Sequence, residues 1–264
     1  MRNTKFIFIE GIMGSGKSAT AWFLTEHLQK HGIAAQFMSE GGSLRVALDL
    51  PHPNGVWLDV TVEEYIERSL GKWHAFAHET RQCDMVTACD GLLFHGNMTD
   101  LMLMNPEPMV LRGYVTQVIE IISDLNPVVI YFTRPDIARA LRKICDARGS
   151  EWEAYQVNWK VLSPYGLQRL LSGFDGLVQL YQSYYALCNN IFAQLELPKL
   201  AIRNEGDWTK YYEEILSFLQ LPFTPSSTSA APSTKSRHFR SRSHRWRYPI
   251  LPWSGRRRLS RPRV

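Results

Sequence analysis

No Cys-x-x-Cys pair occurs in this 264-residue chain. Its four cysteines, Cys83, Cys89, Cys145 and Cys188, are scattered, and that spacing excludes zinc-ribbon and thioredoxin-like frameworks. Their mostly apolar neighbours predict buried, reduced thiols, as a cytosolic setting allows. No apolar run approaches the ~20 residues a membrane span needs. The apolar part of the N-terminus, Phe6 to Ile9, is too short for a secretory leader. Both absences favour the cytoplasm. Acidic residues are missing from the last stretch: Pro222 to Val264 holds one lysine, ten arginines and no Asp or Glu. Met1 to Leu221 holds 19 basic and 25 acidic residues. The net charge of +5 therefore hides a mildly acidic body (1–221) and a strongly basic tail (222–264).

What is present in the body is enough for a core, since 45% of all residues are hydrophobic. Phe6 to Ile9 reads as a buried strand, and Lys17 to His31 as a helix ending at Gly32. Ile33 to Met38 is a second strand. Gly41 to Asp59, with its glycines, prolines and Asn54-Gly55, is mostly loop. Thr61 and Glu64 form a capping box that opens a helix with Tyr65, Ser69, Trp73 and Ala77 on one face. Asp84 to Cys89 gives a third strand, Val110 to Leu125 an amphipathic helix, and Val128 to Phe132 the clearest buried strand. Asp136 to Arg148 is a basic helix. Gly166 to Leu195 is one long helix or two broken ones, with Gly173 and Gly176 as weak points. Leu200 to Ile202 is a fifth strand, and Asp207 to Leu219 a closing helix. Strands alternating with helices imply right-handed crossovers and a parallel sheet covered on both faces, an α/β architecture.

One motif carries chemistry. Gly11-Ile12-Met13-Gly14-Ser15-Gly16-Lys17-Ser18 fits G-x-x-x-x-G-K-S between a strand and a helix. The glycines let several backbone N–H groups face one anion, and the helix N-terminus adds its partial charge. Lys17 suits the β- and γ-phosphates of a nucleotide, and the Ser18 hydroxyl suits Mg²⁺. Gly11, Met13, Gly14, Ser15, Gly16, Lys17, Ser18 and Ala19 are thus the expected nucleotide contacts.

Ile9-Glu10-Gly11 leading into this loop resembles the opening of P-loop nucleoside and nucleotide kinases, such as thymidylate and deoxynucleoside kinases. Tyr131-Phe132-Thr133-Arg134-Pro135-Asp136, followed by Arg139, Arg142 and Arg148, is similar to their fourth strand and arginine-bearing lid. Leu200 to Asn204 is similar to their fifth strand. The resemblance implies a three-layer P-loop NTPase fold over residues 5–220 with strand order 2-3-1-4-5. It also implies ATP and Mg²⁺ as cofactors, and a small-molecule acceptor beyond strands two and three.

Glu40 follows the second strand, where the deoxynucleoside kinases it resembles carry the base for the acceptor hydroxyl. A solvated loop glutamate is the alternative. Gly41-Gly42 stands where those kinases have proline and an aromatic residue. Asp90 closes the third strand at a place suited to a carboxylate near Mg²⁺. Asp90-Gly91-Leu92 lacks the acidic-Arg-Ser pattern, and a plain turn is the alternative. Phe94-His95-Gly96-Asn97 could line an acceptor pocket, although a lone histidine is more often structural. Arg139 and Arg142 share a helix face and suit a lid over the moving phosphate. A solvated charged face is the other reading. His74 and His78 lack the Glu of the zinc-protease pattern, which needs it directly after the first His.

The leading functional reading is an ATP- and Mg²⁺-dependent kinase of a small molecule, a nucleoside or nucleotide. The alternatives are an ATPase or GTPase switch and a nucleotide-binding regulatory protein without turnover. No strand ends in Asp-Glu and no Asn-Lys-x-Asp is evident, which lowers the motor and switch readings. In the tail, Trp246, Tyr248 and Trp253 interleave with arginines. That mixture suits a polyanion or a membrane interface, with a solvated extension as the plainer reading.

Overall fold

The computed structural model describes residues 3–50 and 58–222. The tail, including Trp246, Tyr248 and Trp253, and part of the Gly41 to Asp59 loop lie outside the described residues.

Five parallel strands form one sheet in the order β2-β3-β1-β4-β5. They are β1 (Phe6–Gly11), β2 (Ala35–Ser39), β3 (Val86–Asp90), β4 (Val128–Thr133) and β5 (Lys199–Arg203). Between and after them come α1 (Lys17–Lys30), α2 (Val62–Arg81), α3 (Asn97–Leu103), α4 (Pro108–Ile122), α5 (Ile137–Arg148), α6 (Ser150–Val161), α7 (Pro164–Gln168), α8 (Gly173–Gln194) and α9 (Trp208–Phe218). The α/β expectation and the strand order therefore hold.

The two-residue period of a strand sorts the core. Phe6 and Phe8 point to one face with Val129 and Tyr131, against Trp73, Tyr114 and Tyr184 of α2, α4 and α8. Ile7 and Ile9 point to the other face with Val128, Ile130 and Phe132. There they meet Ala21, Leu24 and Leu28 of α1 and Tyr211 and Ile215 of α9. Each leucine so buried stabilises by about 1.5–3 kcal/mol relative to exposure. β1 has no polar residue before Glu10 because helices cover both its faces.

Local signals behave as their chemistry dictates. The Thr61 hydroxyl accepts from the Glu64 N–H at 3.2 Å, and the Glu64 carboxylate accepts from the Thr61 N–H at 3.1 Å. Gly173 (φ +58°) marks the break before α8, whereas Gly176 lies inside that helix. A Cβ at Gly176 would meet Leu171 at 3.1 Å, so glycine there permits a close approach. Three of the four cysteines are buried, but Cys83 is exposed in the turn after α2. Among the described residues no helix is long and apolar enough to cross a membrane.

Register sets up the site. Ile9 of β1 and Ser39 of β2 both pair with Asp90 of β3. Glu40 and Gly91 therefore leave the sheet level with Glu10 of β1, on its carboxyl edge. That edge is where open α/β sheets bind ligands.

Candidate functional site

The loop from Gly11 to Ser18 connects β1 to α1. Gly11, Gly14 and Gly16 have φ of +142°, +76° and +96°, which side chains with a Cβ rarely adopt. Space is equally limiting at Gly16, where a Cβ would sit 2.0 Å from the Trp208 indole. Three outside groups brace the loop. Trp208 packs on Gly16, Asn204 Nδ2 donates to the Ser15 carbonyl at 2.7 Å, and Arg134 Nη1 donates to the Gly14 carbonyl at 3.1 Å. Helix α5 lies against the same loop, with the Ala140 carbonyl 3.8 Å from where a Gly14 Cβ would be.

A comparison of two glycines tests this. Gly32 also has positive φ (+75°) but open space around its Cβ position. Gly32→Ala should cost about 1 kcal/mol, the strain of a left-handed residue. Gly16→Ala should lower the melting temperature more and weaken nucleotide binding at least about tenfold, since it also displaces the anion-facing backbone. Thermal melts and nucleotide titrations check both. Equal effects would show that Trp208 yields freely.

Lys17 opens α1 and is only 7% exposed; its ammonium donates to the Ile12 carbonyl at 3.4 Å. Around it three acidic side chains converge. Ideal Cβ placement at Gly91 lies 3.0 Å from Glu40 Oε2, 3.0 Å from Lys17 Cε and 3.2 Å from His95 Cβ. Gly91 is thus the small floor on which Glu40, Lys17 and His95 meet. Asp90, just before it, is buried, and its carboxyl is raised by burial, with Lys17 and a Ser18 hydrogen bond pulling the other way.

Glu10 is fully buried; its oxygens accept from the Leu93 N–H at 2.8 Å and the Phe94 N–H at 3.2 Å. Burial pushes its carboxyl up to about 8, against those two N–H groups and Lys17. By these contacts Glu10 fixes the start of the loop that carries His95. The His95 ring, 3.8 Å from Glu10, is held well below its ordinary range by burial and then by Lys17, Lys160 and Arg45, so it is neutral.

A carboxyl raised on folding keeps its proton in the folded form over a range where the unfolded form has lost it, so folding there takes up a proton and stability falls as pH rises. The stability this gives is greatest at low pH and is lost as pH climbs toward 8. Between pH 6.5 and 8 the chain should therefore lose about 2 kcal/mol of stability. Glu10→Gln should flatten that slope in denaturant titrations, and an unchanged slope would place Glu10 as an ordinary carboxylate.

Several polar atoms at this edge are buried without a hydrogen-bond partner: Ser15 Oγ, Glu40 Oε2, Asp90 Oδ1 and both His95 ring nitrogens. Each such orphan costs about 1–3 kcal/mol, and they gather where the loop, β2 and β3 end. The donor set fits a nucleotide phosphate chain with a divalent cation. Loop N–H groups and Lys17 would face the anion, and Ser18 and Asp90 would supply oxygens for the cation. Among the described residues no cluster of three or more His, Cys, Asp and Glu forms a metal cage.

The arginines of α5 are arranged differently from one another. Arg139 is exposed on the helix that Asp136 caps by accepting from the Arg139 N–H at 3.0 Å. Arg142 is engaged, donating to Glu153 at 2.9 Å and lying 3.6 Å from the centre of the Phe174 ring. Arg148 lies over Trp152.

Sequence reasoning missed Arg45, Asp100 and Lys160. Arg45 pairs in bidentate fashion with Asp100 at 3.0 and 2.9 Å, and Asp100 also accepts from Tyr65 Oη at 3.0 Å. Asn97 holds the same loop by donating to the Leu44 carbonyl and accepting from the Val46 N–H. Lys160 comes from α6 and is 7% exposed.

No protein-family model and no curated protein matches this chain. Among solved structures, the Mycobacterium tuberculosis APS kinase CysC in complex with AMPPNP and APS is 12% identical, over 83% of this chain and 98% of that one, with a TM-score of 0.43. The protein APE1195 is 17% identical, over 83% of this chain and 96% of that one, with a TM-score of 0.45.

Proposed function

We propose that this protein is an ATP- and Mg²⁺-dependent kinase that transfers the γ-phosphoryl group to a small-molecule acceptor. One observation carries the reading: Lys17, Glu40 and His95 meet over Gly91, beside Asp90 and the anion-facing loop. A hydrolytic switch needs a group to activate water but no separate acceptor pocket. Here buried polar atoms without a hydrogen-bond partner, Glu40 Oε2 and both His95 ring nitrogens, adjoin the phosphate loop.

In this reading the backbone from Met13 to Ala19 and the Lys17 ammonium bind the β- and γ-phosphates and hold them in line. Ser18 and Asp90 would hold Mg²⁺, which neutralises phosphate charge when bound. Glu40 orients the acceptor hydroxyl and takes its proton, being within reach of the same floor as Lys17. Arg139 approaches the moving phosphate from α5, and Arg142 joins it on release from Glu153. Positioning and fixed charge then supply most of the rate. The body would act without the tail, and the tail's basic charge would serve contact with a polyanion. The supporting test follows ADP release by the full chain against a panel of nucleosides, nucleotides and other hydroxyl compounds. An acceptor-stimulated rate is expected, and ADP release indifferent to every acceptor would favour the ATPase alternative.

A further inference from the structure

Most charged groups near the carboxyl ends of β2 and β3 already have partners. Arg45 has both oxygens of Asp100, and Asp100 has Tyr65 as well. Asn97 uses its amide on Leu44 and Ser69, and its carbonyl on Val46 and Tyr65. These groups build the wall but have little left to offer a ligand.

Lys160 is the exception. Its ammonium is buried, and among the described residues its one hydrogen bond goes to the neutral Gln156 side chain at 2.8 Å. The Tyr181 ring lies 5.9 Å away. Among the described residues no ion pair joins Lys160 to Glu40 or Asp100. Tyr181 in turn lies 6.4 Å, ring centre to ring centre, from Tyr184, which lies 5.5 Å from His95, so these α8 tyrosines connect Lys160 to the His95 end of the site. Glu40 and Asp100 favour the Lys160 charge and Arg45 opposes it. A buried ammonium without a counter-ion is costly, and a buried charge ordinarily finds one. Burial brings Lys160 down to about 8, so it still carries charge near neutral pH. At the carboxyl edge of the sheet, Glu40 Oε2 and both His95 nitrogens are, with Ser15 Oγ and Asp90 Oδ1, buried polar atoms without a hydrogen-bond partner.

We infer that the acceptor is a hydroxyl compound that also bears an oxyanion, a phosphate monoester or a carboxylate, and that Lys160 supplies the counter-charge for that anion. The inference rests on the phosphotransferase reading for the word acceptor, but the anion site stands on Lys160 alone. A neutral hydroxyl compound would satisfy Glu40 and His95 and leave the Lys160 ammonium unpaired. An anionic one satisfies all three. Charge-assisted contacts of this kind are about twice as strong as neutral ones, so the anion dominates the choice among acceptors.

The test uses the full chain saturated with the Mg²⁺ complex of AMPPNP, so that the phosphate loop is filled. Inorganic phosphate, glycerol 3-phosphate, glycerate and glycerol are titrated by calorimetry. Saturable binding of the anionic probes, with glycerol at least about tenfold weaker, is expected; the phosphate and carboxylate arms show which oxyanion is preferred. Lys160→Met should weaken the anionic probes about tenfold or more and leave glycerol unchanged. Lys160→Arg should retain most of the affinity, a rescue that a merely structural lysine would not show. Methionine keeps the length and apolar stem of the lysine side chain, and thermal melts of both variants check the fold. Anion binding equal in wild type and a folded Lys160→Met, or glycerol binding as well as its phosphate, overturns the inference. Failure of AMPPNP to bind would remove the phosphotransferase reading instead, and the Lys160 comparison is then read from the same titrations without nucleotide.

Discussion

Lys17→Ala should lower turnover by about 10²–10³, the usual cost of removing one fixed donor from a developing phosphate charge, and should weaken nucleotide binding as well. Among the described residues the Lys17 ammonium makes one long hydrogen bond, to the Ile12 carbonyl at 3.4 Å, and no ion pair. Truncation therefore leaves the apolar core of α1, Ala21, Leu24 and Leu28, untouched. It does remove the cation that lowers Glu10 and Asp90, so both carboxyls should hold their protons to still higher pH. A near-normal melting temperature at pH 6.5 with lost nucleotide affinity is the expected pair of results. A folded Lys17→Ala that binds and turns over nucleotide like wild type would contradict the assignment of the loop.

Glu40→Gln should reduce turnover by about 10²–10⁴, the range for loss of a general base, with nucleotide affinity nearly unchanged. The substitution keeps the shape at the Gly91 floor, where Glu40 Oε2 makes its close approach, but cannot accept a proton. Steady-state kinetics with a saturating acceptor separate the two effects. A fall of less than about threefold would return Glu40 to a solvated-loop role, because it is far below that range.

The sheet was legible because its strands are short apolar runs punctuated by glycine, and because Gly11 to Ser18 anchors the first crossover. Boundaries slipped where polar residues end a strand. β3 begins at Val86 rather than Asp84, because the exposed Asp84 turns aside to pair with Lys5 at 2.8 Å. Helix α3 was missed for a physical reason. Asn97, Met98, Asp100, Leu101, Met102 and Leu103 are all buried, so no polar face exists to create a helical period. Helix α6 hid for the opposite reason, since two of its three buried residues, Gln156 and Lys160, are polar. A hydrophobic pattern cannot reveal a helix that turns a lysine inward.

The site divides along the same line. Lys17 and the loop were readable from spacing alone. Glu40 and Asp90 stand out because one follows β2 and the other ends β3, and register pairs Ser39 with Asp90, one residue before Glu40. Arg45, Asp100, Glu10 and Lys160 were not, because their meaning lies in partners 55 or more positions apart in the case of Arg45 with Asp100, and in a missing partner in the case of Lys160. The buried nitrogens of His95 likewise gain significance only beside Glu10 and Lys17.

The most direct measurement follows the γ-phosphoryl group itself. Full-length protein is incubated with Mg²⁺ and ATP labelled with ¹⁸O at the γ-phosphate, together with a pool of hydroxyl compounds with and without an oxyanion. Mass spectrometry then locates the label. The account predicts a labelled phosphoryl group on a member of the pool, absent in the Lys17→Ala and strongly reduced in the Glu40→Gln protein. Label recovered only as inorganic phosphate, at a rate the pool does not alter, would contradict it.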